Sequence, residues 1–374
     1  MTSHPQHIYL DYNATAPLRA EAALAIRGVL DGPANPSSVH YFGREARAQL
    51  EHARKQIASF LDVSVSDLVF TSGGTEANNM VLSGYQKVIV SAVEHDAVLA
   101  ARPDADLINV DRNGVTDLVH LNELLSGLCD EHRQSCLVSV MAANNETGVI
   151  QPLAEIAALC AEYQVHFHSD MVQAAGKMPL PAGQLPGLHF ASFSAHKIGG
   201  PTGIGALWCA PGYRPSAFIR GGGQEQGRRS GTENLIGAAG FGAAAEAAQD
   251  SAEMRIRLGD YQRQFEQAVT QACPEIEVIG AGADRLVNTS ALYLPGMSSE
   301  LAVMSLDIKG VSVSAGSACS SGKIKPSHVI TAMGQAEKAP HVIRVSSGWK
   351  TTASEMMALA DHIIEMYKHS RTTR

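Results

Sequence analysis

The sequence predicts an α/β protein with a mainly parallel sheet, followed by a smaller α+β unit. Three observations carry that prediction. Short β-rich runs alternate with helical patterns over the first part of the chain, a long helical stretch then interrupts the alternation, and a few short strand-like runs closed by a helix follow it. The 374 residues suit about two domains. With 45% hydrophobic and 18% charged residues, the chain can bury a large core, and disordered or collagen-like classes are excluded.

The elements follow in order. After the Pro-containing segment Gly32–His40, apolar residues fall at Ala46, Leu50, Ala53, Ile57 and Leu61, which is one face of an amphipathic helix. Strand-like runs come next at Leu68–Thr71, Val88–Ser91, Leu107–Val110, Cys136–Ala142 and Val165–Asp170, with a helical pattern over Leu153–Tyr163 before the last. In such sheets ligands sit at the carboxyl ends of the strands. From about Asn234 to Ala272 the pattern is long and helical, with Pro274 beyond it, and a domain boundary is placed inside this stretch near residue 250. Strands near Glu275–Ile279, Thr289–Leu294 and Val311–Ser314 and a closing helix from about Ser354 make up the smaller unit. There is no internal repeat and no low-complexity tract.

A net charge of −8 without any basic block argues against a nucleic-acid partner. The most apolar stretch, Leu235–Ala248, is too short to cross a bilayer, so no membrane partner is expected. The opening MTSHPQHIYLDYN has neither the charged nor the apolar region of a secretory leader, so the expected location is the cytoplasm. Six cysteines without a CxxC pair speak against a disulfide scaffold or a structural zinc site, and no metal is expected.

Four segments could carry chemistry. Thr71–Glu76 (TSGGTE) follows a strand and opens a helix, so backbone N–H groups and a hydroxyl converge where an anion binds; the plainer reading is an ordinary helix cap. It lacks the lysine of a nucleoside-triphosphate loop. Val165–Gln173 (VHFHSDMVQ) ends a strand with Asp170, although His168 and Asp170 could also form a metal pair or a plain cap. Ser192–Gly203 (SFSAHKIGGPTG) sets Lys197 in a small-residue loop after an apolar run, where a desolvated amine can lose its proton and form a Schiff base; otherwise it is a surface lysine. Ser312–Val329 (SVSAGSACSSGKIKPSHV) surrounds Cys319 with small polar residues and places Lys323 and Lys325 nearby, a setting that favours thiolate, against the reading of an incidental surface cysteine. Together, a strand-end Asp, a lone Lys and a Gly/Thr anion turn match what pyridoxal 5'-phosphate requires. Gly221–Asn234 (GGGQEQGRRSGTEN) could complete the phosphate site.

These residues resemble the class V aminotransferase family of pyridoxal phosphate enzymes, specifically its NifS/IscS-like cysteine desulfurases. The resemblance runs nearly end to end, through YLDYNATAP (9–17), NPSSVHYFGR (35–44), TSGGTEANN (71–79), VEHDAV (93–98), NNETGVIQP (144–152), HSDMVQAAGK (168–177), SAHKIGGPTGIGAL (194–207), RRSGTEN (228–234) and SAGSACSSG (314–322). It implies the fold type I transferase architecture, with residues 16–250 as the large cofactor domain. Residues 1–15 and 251–374 would form the small α+β domain carrying the cysteine segment. It implies Lys197 as the aldimine lysine, Asp170 as the partner of the pyridinium nitrogen, His95 stacked on the ring and Gln173 on its O3'. Gly74, Thr75, Ser194 and His196 would hold the phosphate, with Thr232 donated by the other subunit of a homodimer. Asn145 and Arg344 would bind the substrate carboxylate, and Cys319 would accept sulfur from L-cysteine as a persulfide, leaving L-alanine. The sulfur would then pass to an acceptor protein, for iron–sulfur cluster assembly or another delivery route. Met171, Gln226, Ser347 and Trp349 depart from the family pattern. The alternative is another class V activity, a selenocysteine lyase or an aminotransferase, in which Cys319 is not the acceptor.

Overall fold

The computed structural model describes residues 7–372 apart from positions 34, 130, 132, 134, 181, 250 and 317–325. The chain starts with a short strand, β1 (Ile8–Tyr9), and a large sheet is then built from β2 (Leu68–Thr71), β3 (Lys87–Ser91), β4 (Asp106–Ile108), β5 (Cys136–Ser139), β6 (His166–Asp170), β7 (Phe190–Ser194) and β8 (Gly205–Cys209). Its order is β2-β8-β7-β6-β5-β3-β4. Strands β4, β3, β5, β6 and β7 pair in parallel, and β8 runs antiparallel to both of its neighbours, which returns β2 to the common direction. The central strands are buried along their whole length, as expected for a sheet covered on both faces.

Helices cover this sheet. In α1 (Ala20–Gly28) and α2 (Tyr41–Leu61) the apolar faces turn inward, and in α2 the buried set includes the five positions spaced by the sequence pattern, Ala46, Leu50, Ala53, Ile57 and Leu61. His40 caps α2 by accepting from the Gly43 amide, and Asp62 ends it in the left-handed conformation. Against α2 lies the helix Leu235–Ala248, almost all Gly and Ala and buried on nearly every side. Its small residues allow close approach: a Cβ on Gly242 would come within 2.8 Å of the Ala53 Cα. This accounts for an apolar, non-amphipathic run that does not cross a membrane. No described helix is long and apolar enough to do so.

The second sheet consists of β9 (Glu277–Val278), β10 (Thr289–Tyr293), β12 (Ser314–Ala315) and β13 (Val342–Ser346), antiparallel in the order β12-β13-β10-β9, while β11 (Val311–Ser312) pairs in parallel with β1. Its core joins Leu10 from the N-terminal segment to Phe265, Leu292, Ile343, Val345, Leu359, Ile363 and Tyr367. The long helical stretch is two helices, Leu235–Ala248 and Ala252–Ala272, with the break near residue 250. The run Val311–Ser314 divides at Val313 because its halves pair with different partners, β1 and β13. Three elements left no clear signal in the sequence: β8, a short run opening on Gly205; β13, broken by a buried Arg344; and the helix Ser299–Ile308.

Candidate active site

The carboxyl ends of β2, β3, β5, β6 and β7 all open on one side of the large sheet. They lead directly into Gly74 and Thr75, His95, Asn145, Asp170, and Ser194 with His196 and Lys197. The second sheet contributes Arg344 from β13, and the N-terminal segment 10–15 runs between the two.

Lys197 closes a 3-10 turn just after β7. Its Nζ donates to the carbonyls of Asn13 and Ala14, both at 2.7 Å. Loss of water and the nearby Arg344 charge lower its pKa to about 8, against a smaller opposing pull from Asp11 and Asp170. Gly199 turns the chain at φ +88, and a Cβ there would lie 2.6 Å from both Arg19 Cγ and the Trp349 ring. Arg19 stacks on Trp349 at 4.0 Å, and Tyr12 meets the same indole edge-on at 5.3 Å. Gly199 thus needs to be glycine on two grounds. Gly199→Ala is expected to cost about 1–3 kcal/mol, read as a lower denaturation midpoint; an unchanged midpoint would show that the turn relaxes freely.

Asp170 ends β6, largely buried. Its Oδ2 accepts from Asn78 Nδ2 at 2.7 Å and its Oδ1 from the Val172 amide at 2.9 Å, so the carboxylate is fixed in direction. Asn78 projects from α3 (Gly74–Leu82), whose start at Gly73 carries no side-chain cap, leaving first-turn N–H groups for an anion. Glu76 in that first turn pairs with Arg229 at 3.0 Å, tying the 228–234 loop to α3. Arg228 on the same loop donates to the carbonyls of Ser66 and Leu68. Thr232 itself is exposed. His196, facing Thr15 Oγ1 at 3.2 Å, is held down to about 4 by burial and the neighbouring lysines. His95 lies exposed at the start of a short helix, its Nδ1 accepting from the Ala97 amide.

Arg344 is buried, with Nη2 on Asp11 Oδ1 at 2.8 Å and Nη1 on the Asn145 carbonyl at 3.2 Å, so the two residues expected to share a carboxylate are neighbours. Two buried polar atoms at the site, Arg344 Nε and Asn78 Oδ1, have no partner among the described residues. Cys319 lies outside the described residues. Of the five cysteines described, Cys129 is exposed and Cys136, Cys160, Cys209 and Cys273 are buried.

Two readings are revised by these contacts. His168 is fully buried, with Nδ1 against Ser139 Oγ at 2.8 Å and Nε2 against Ser192 Oγ at 2.9 Å; both ring nitrogens are engaged, which leaves none for a metal shared with Asp170. Burial lowers its pKa to about 3, so it stays neutral. Asn13, to which the sequence motifs assigned no role, is the hub of the site. Its carbonyl accepts from Lys197 and Gln173, its Oδ1 from Lys177 and Asn288, and its Nδ2 donates to the Asn145 carbonyl and Thr289 Oγ1. The signal was there in YLDYNATAP, but only the fold brings that segment to the strand ends.

A desolvated lysine, a strand-end carboxylate and a helix N-terminus meet on the carboxyl edge of one sheet, and the chain belongs to a family of enzymes: residues 8–359 match the model of the class V aminotransferase family. Among its relatives, it is 36% identical to the "Cysteine desulfurase IscS" of Dictyoglomus turgidum, over 98% of this chain and 96% of that one. It superposes on a NifS-like protein from Rickettsia africae with a TM-score of 0.90 and 35% identity, covering 97% of this chain and all of the other. A further structural relative, SspA, solved in complex with cysteine, has a TM-score of 0.76 and 26% identity, over 91% of this chain and 98% of that one.

Proposed function

We propose that this chain is a pyridoxal 5'-phosphate-dependent cysteine desulfurase that converts L-cysteine to L-alanine and carries the sulfur away as a persulfide on Cys319. The observation that supports it most is the delivery of Lys197 and Asp170 from adjacent strand ends, opposite a buried Arg344 reaching in from the second sheet. The donor set fits the cofactor. Uncapped N–H groups at Gly74 and Thr75, with Ser194 and His196 beside them, suit its phosphate, and Thr232 of the second subunit in a homodimer adds a hydroxyl. Asp170 suits the ring nitrogen, Gln173 the ring oxygen, His95 the ring face, and Lys197 the aldehyde. On this reading, residues 16–250 form the cofactor domain, and residues 1–15 with 251–374 form the small domain.

When bound, the cofactor withdraws electrons from the substrate Cα. The protein does the rest. Arg344 and Asn145 hold the substrate carboxylate. Asp170 would hold a proton on the ring nitrogen of the bound cofactor. Lys197 would remove the proton from Cα and later return one. Thiolate Cys319 attacks the substrate sulfur: the Cβ–S bond breaks with its electron pair left on carbon, an S–S bond forms on Cys319, and protonation of the carbon gives alanine. No external oxidant is needed, because the reduction of Cβ balances the oxidation of sulfur.

The chemistry is tested by incubating the protein with L-cysteine and dithiothreitol. Alanine and sulfide should appear in equal amounts; pyruvate in place of alanine, or keto acid dependence, would move the assignment to a lyase or a transaminase. A second test uses the amine itself. Only neutral Lys197 captures an aldehyde, so the pKa of about 8 makes covalent capture by the cofactor-free protein rise with pH and level off just above 8. Borohydride trapping across the pH range measures this, and a rise continuing towards 10.5 would contradict it.

The homodimer is supported by exposed Val39, Tyr41 and Phe42 at the start of α2 and Phe218 and Ile219 in the segment before the 228–234 loop, large apolar side chains that a second copy would cover. Sedimentation as a monomer would remove Thr232 from the phosphate site. On this reading the acceptor is a protein thiol or scaffold that takes the persulfide sulfur, and the compartment is the cytoplasm.

A further inference from the structure

Lys177 has no part in the reaction as drawn above, yet it sits one hydrogen bond from Gln173, assigned to the cofactor, and from Asn13, the hub of the site. Its Nζ donates to Gln173 Oε1 at 2.5 Å and to Asn13 Oδ1 at 2.8 Å. Both partners are carboxamides, whose two ends have nearly the same shape and opposite hydrogen-bonding sense, so something must choose between their orientations. Lys177 donates to the oxygen end of each. By occupying Gln173 Oε1, it turns the Gln173 Nε2 toward the site, where one hydrogen goes to the Asn13 carbonyl and the other meets no acceptor among the described residues. By occupying Asn13 Oδ1, together with Asn288 Nδ2, it turns the Asn13 Nδ2 toward the Asn145 carbonyl and Thr289 Oγ1. One amine therefore sets two amides, one on the cofactor side and one on the substrate-carboxylate side.

We propose that Lys177 is a positioning residue that acts through Gln173 and Asn13, fixing the Gln173 amide as a donor to the cofactor's ring oxygen and coupling that donor to the Asn145–Arg344 carboxylate site. The proposal rests on the cofactor assignment made above. The charges around Lys177 are cationic: Lys197 and Arg344 act on it directly, and Arg19 and Arg255 line the same cavity. Burial and these charges push its own pKa well below the ordinary lysine value.

The test is an equilibrium titration of cofactor-free protein with pyridoxal 5'-phosphate, followed by quenching of intrinsic fluorescence, on the wild type, Lys177→Met, Gln173→Ala and the double variant. Thermal melts of the cofactor-free proteins serve as the folding control. If Lys177 acts through Gln173, Lys177→Met weakens binding about tenfold in the wild-type background and less than twofold in the Gln173→Ala background, the non-additivity of residues in one network. Should Lys177→Met fail to fold, Lys177→Gln, which keeps a donor, takes its place and is expected to lose about threefold with the same dependence on Gln173. An equal loss in both backgrounds, or no loss in either, overturns the proposal while leaving the cofactor assignment intact. A wild-type protein that does not bind the cofactor at all overturns both.

Discussion

Lys197→Ala is expected to abolish covalent attachment of the cofactor and to lower alanine formation by about a thousandfold or more, since the proposed function makes one side chain both anchor and proton carrier. The structure supplies the physical reasons. Desolvation and Arg344 bring the Lys197 amine to about 8, which raises its neutral fraction near neutral pH by about two orders of magnitude over an ordinary lysine. The carbonyls of Asn13 and Ala14 hold two of its hydrogens and leave the lone pair free to point elsewhere. Among the described residues, no other is placed to take over. Lys177 is the nearest competing amine, but it is pinned between Gln173 and Asn13. Borohydride reduction followed by peptide mapping should therefore find the cofactor on Lys197 in the wild type and on no lysine in the variant. A label on Lys177, or turnover within tenfold of the wild type, would sink the assignment.

How much of this was legible in the sequence depended on whether the signal was local. The helix 41–61 could be read from spacing, because one face of a surface helix must be apolar and five positions declare it. The strand ends at Thr71 and Asp170 could be read because turn chemistry follows an apolar run there. Lys197 and Asp170 stood out because a charge in a small-residue or strand-end setting is locally unusual. Asn13 did not, since an asparagine in a loop is ordinary until the fold puts six hydrogen-bond partners around its side chain and carbonyl. The same is true of Lys177. Strand β13 was hidden by its charge: Arg344 interrupts an apolar run, and the cost of burying it is met by Asp11, more than 300 residues away in sequence. Trp349 departs from the family pattern, and its reason is likewise tertiary, a ring on which Arg19 stacks beside the turn at Gly199.

Cys319→Ala is the prediction that separates a desulfurase from its class V relatives. If Cys319 is the acceptor, the variant should bind cofactor and L-cysteine like the wild type, because no residue assigned to either has been touched, yet release of alanine and of sulfide should both fall by about a hundredfold or more. The loss is linked: without a thiolate to take the sulfur, the Cβ–S bond has no partner for exchange, and alanine cannot form without that cleavage. The remaining thiols offer no substitute. Burial raises those of Cys136 and Cys209 to about 12 and raises Cys160 and Cys273 as well, so they are neither ionised nor accessible. Cys129 is exposed, and it provides the control: Cys129→Ser should leave turnover unchanged. Mass spectrometry of wild-type protein after L-cysteine, without reductant, should find one extra sulfur atom on the peptide holding Cys319. Sulfide and alanine persisting together in Cys319→Ala would identify a direct lyase, in which the sulfur leaves without ever being bonded to the enzyme.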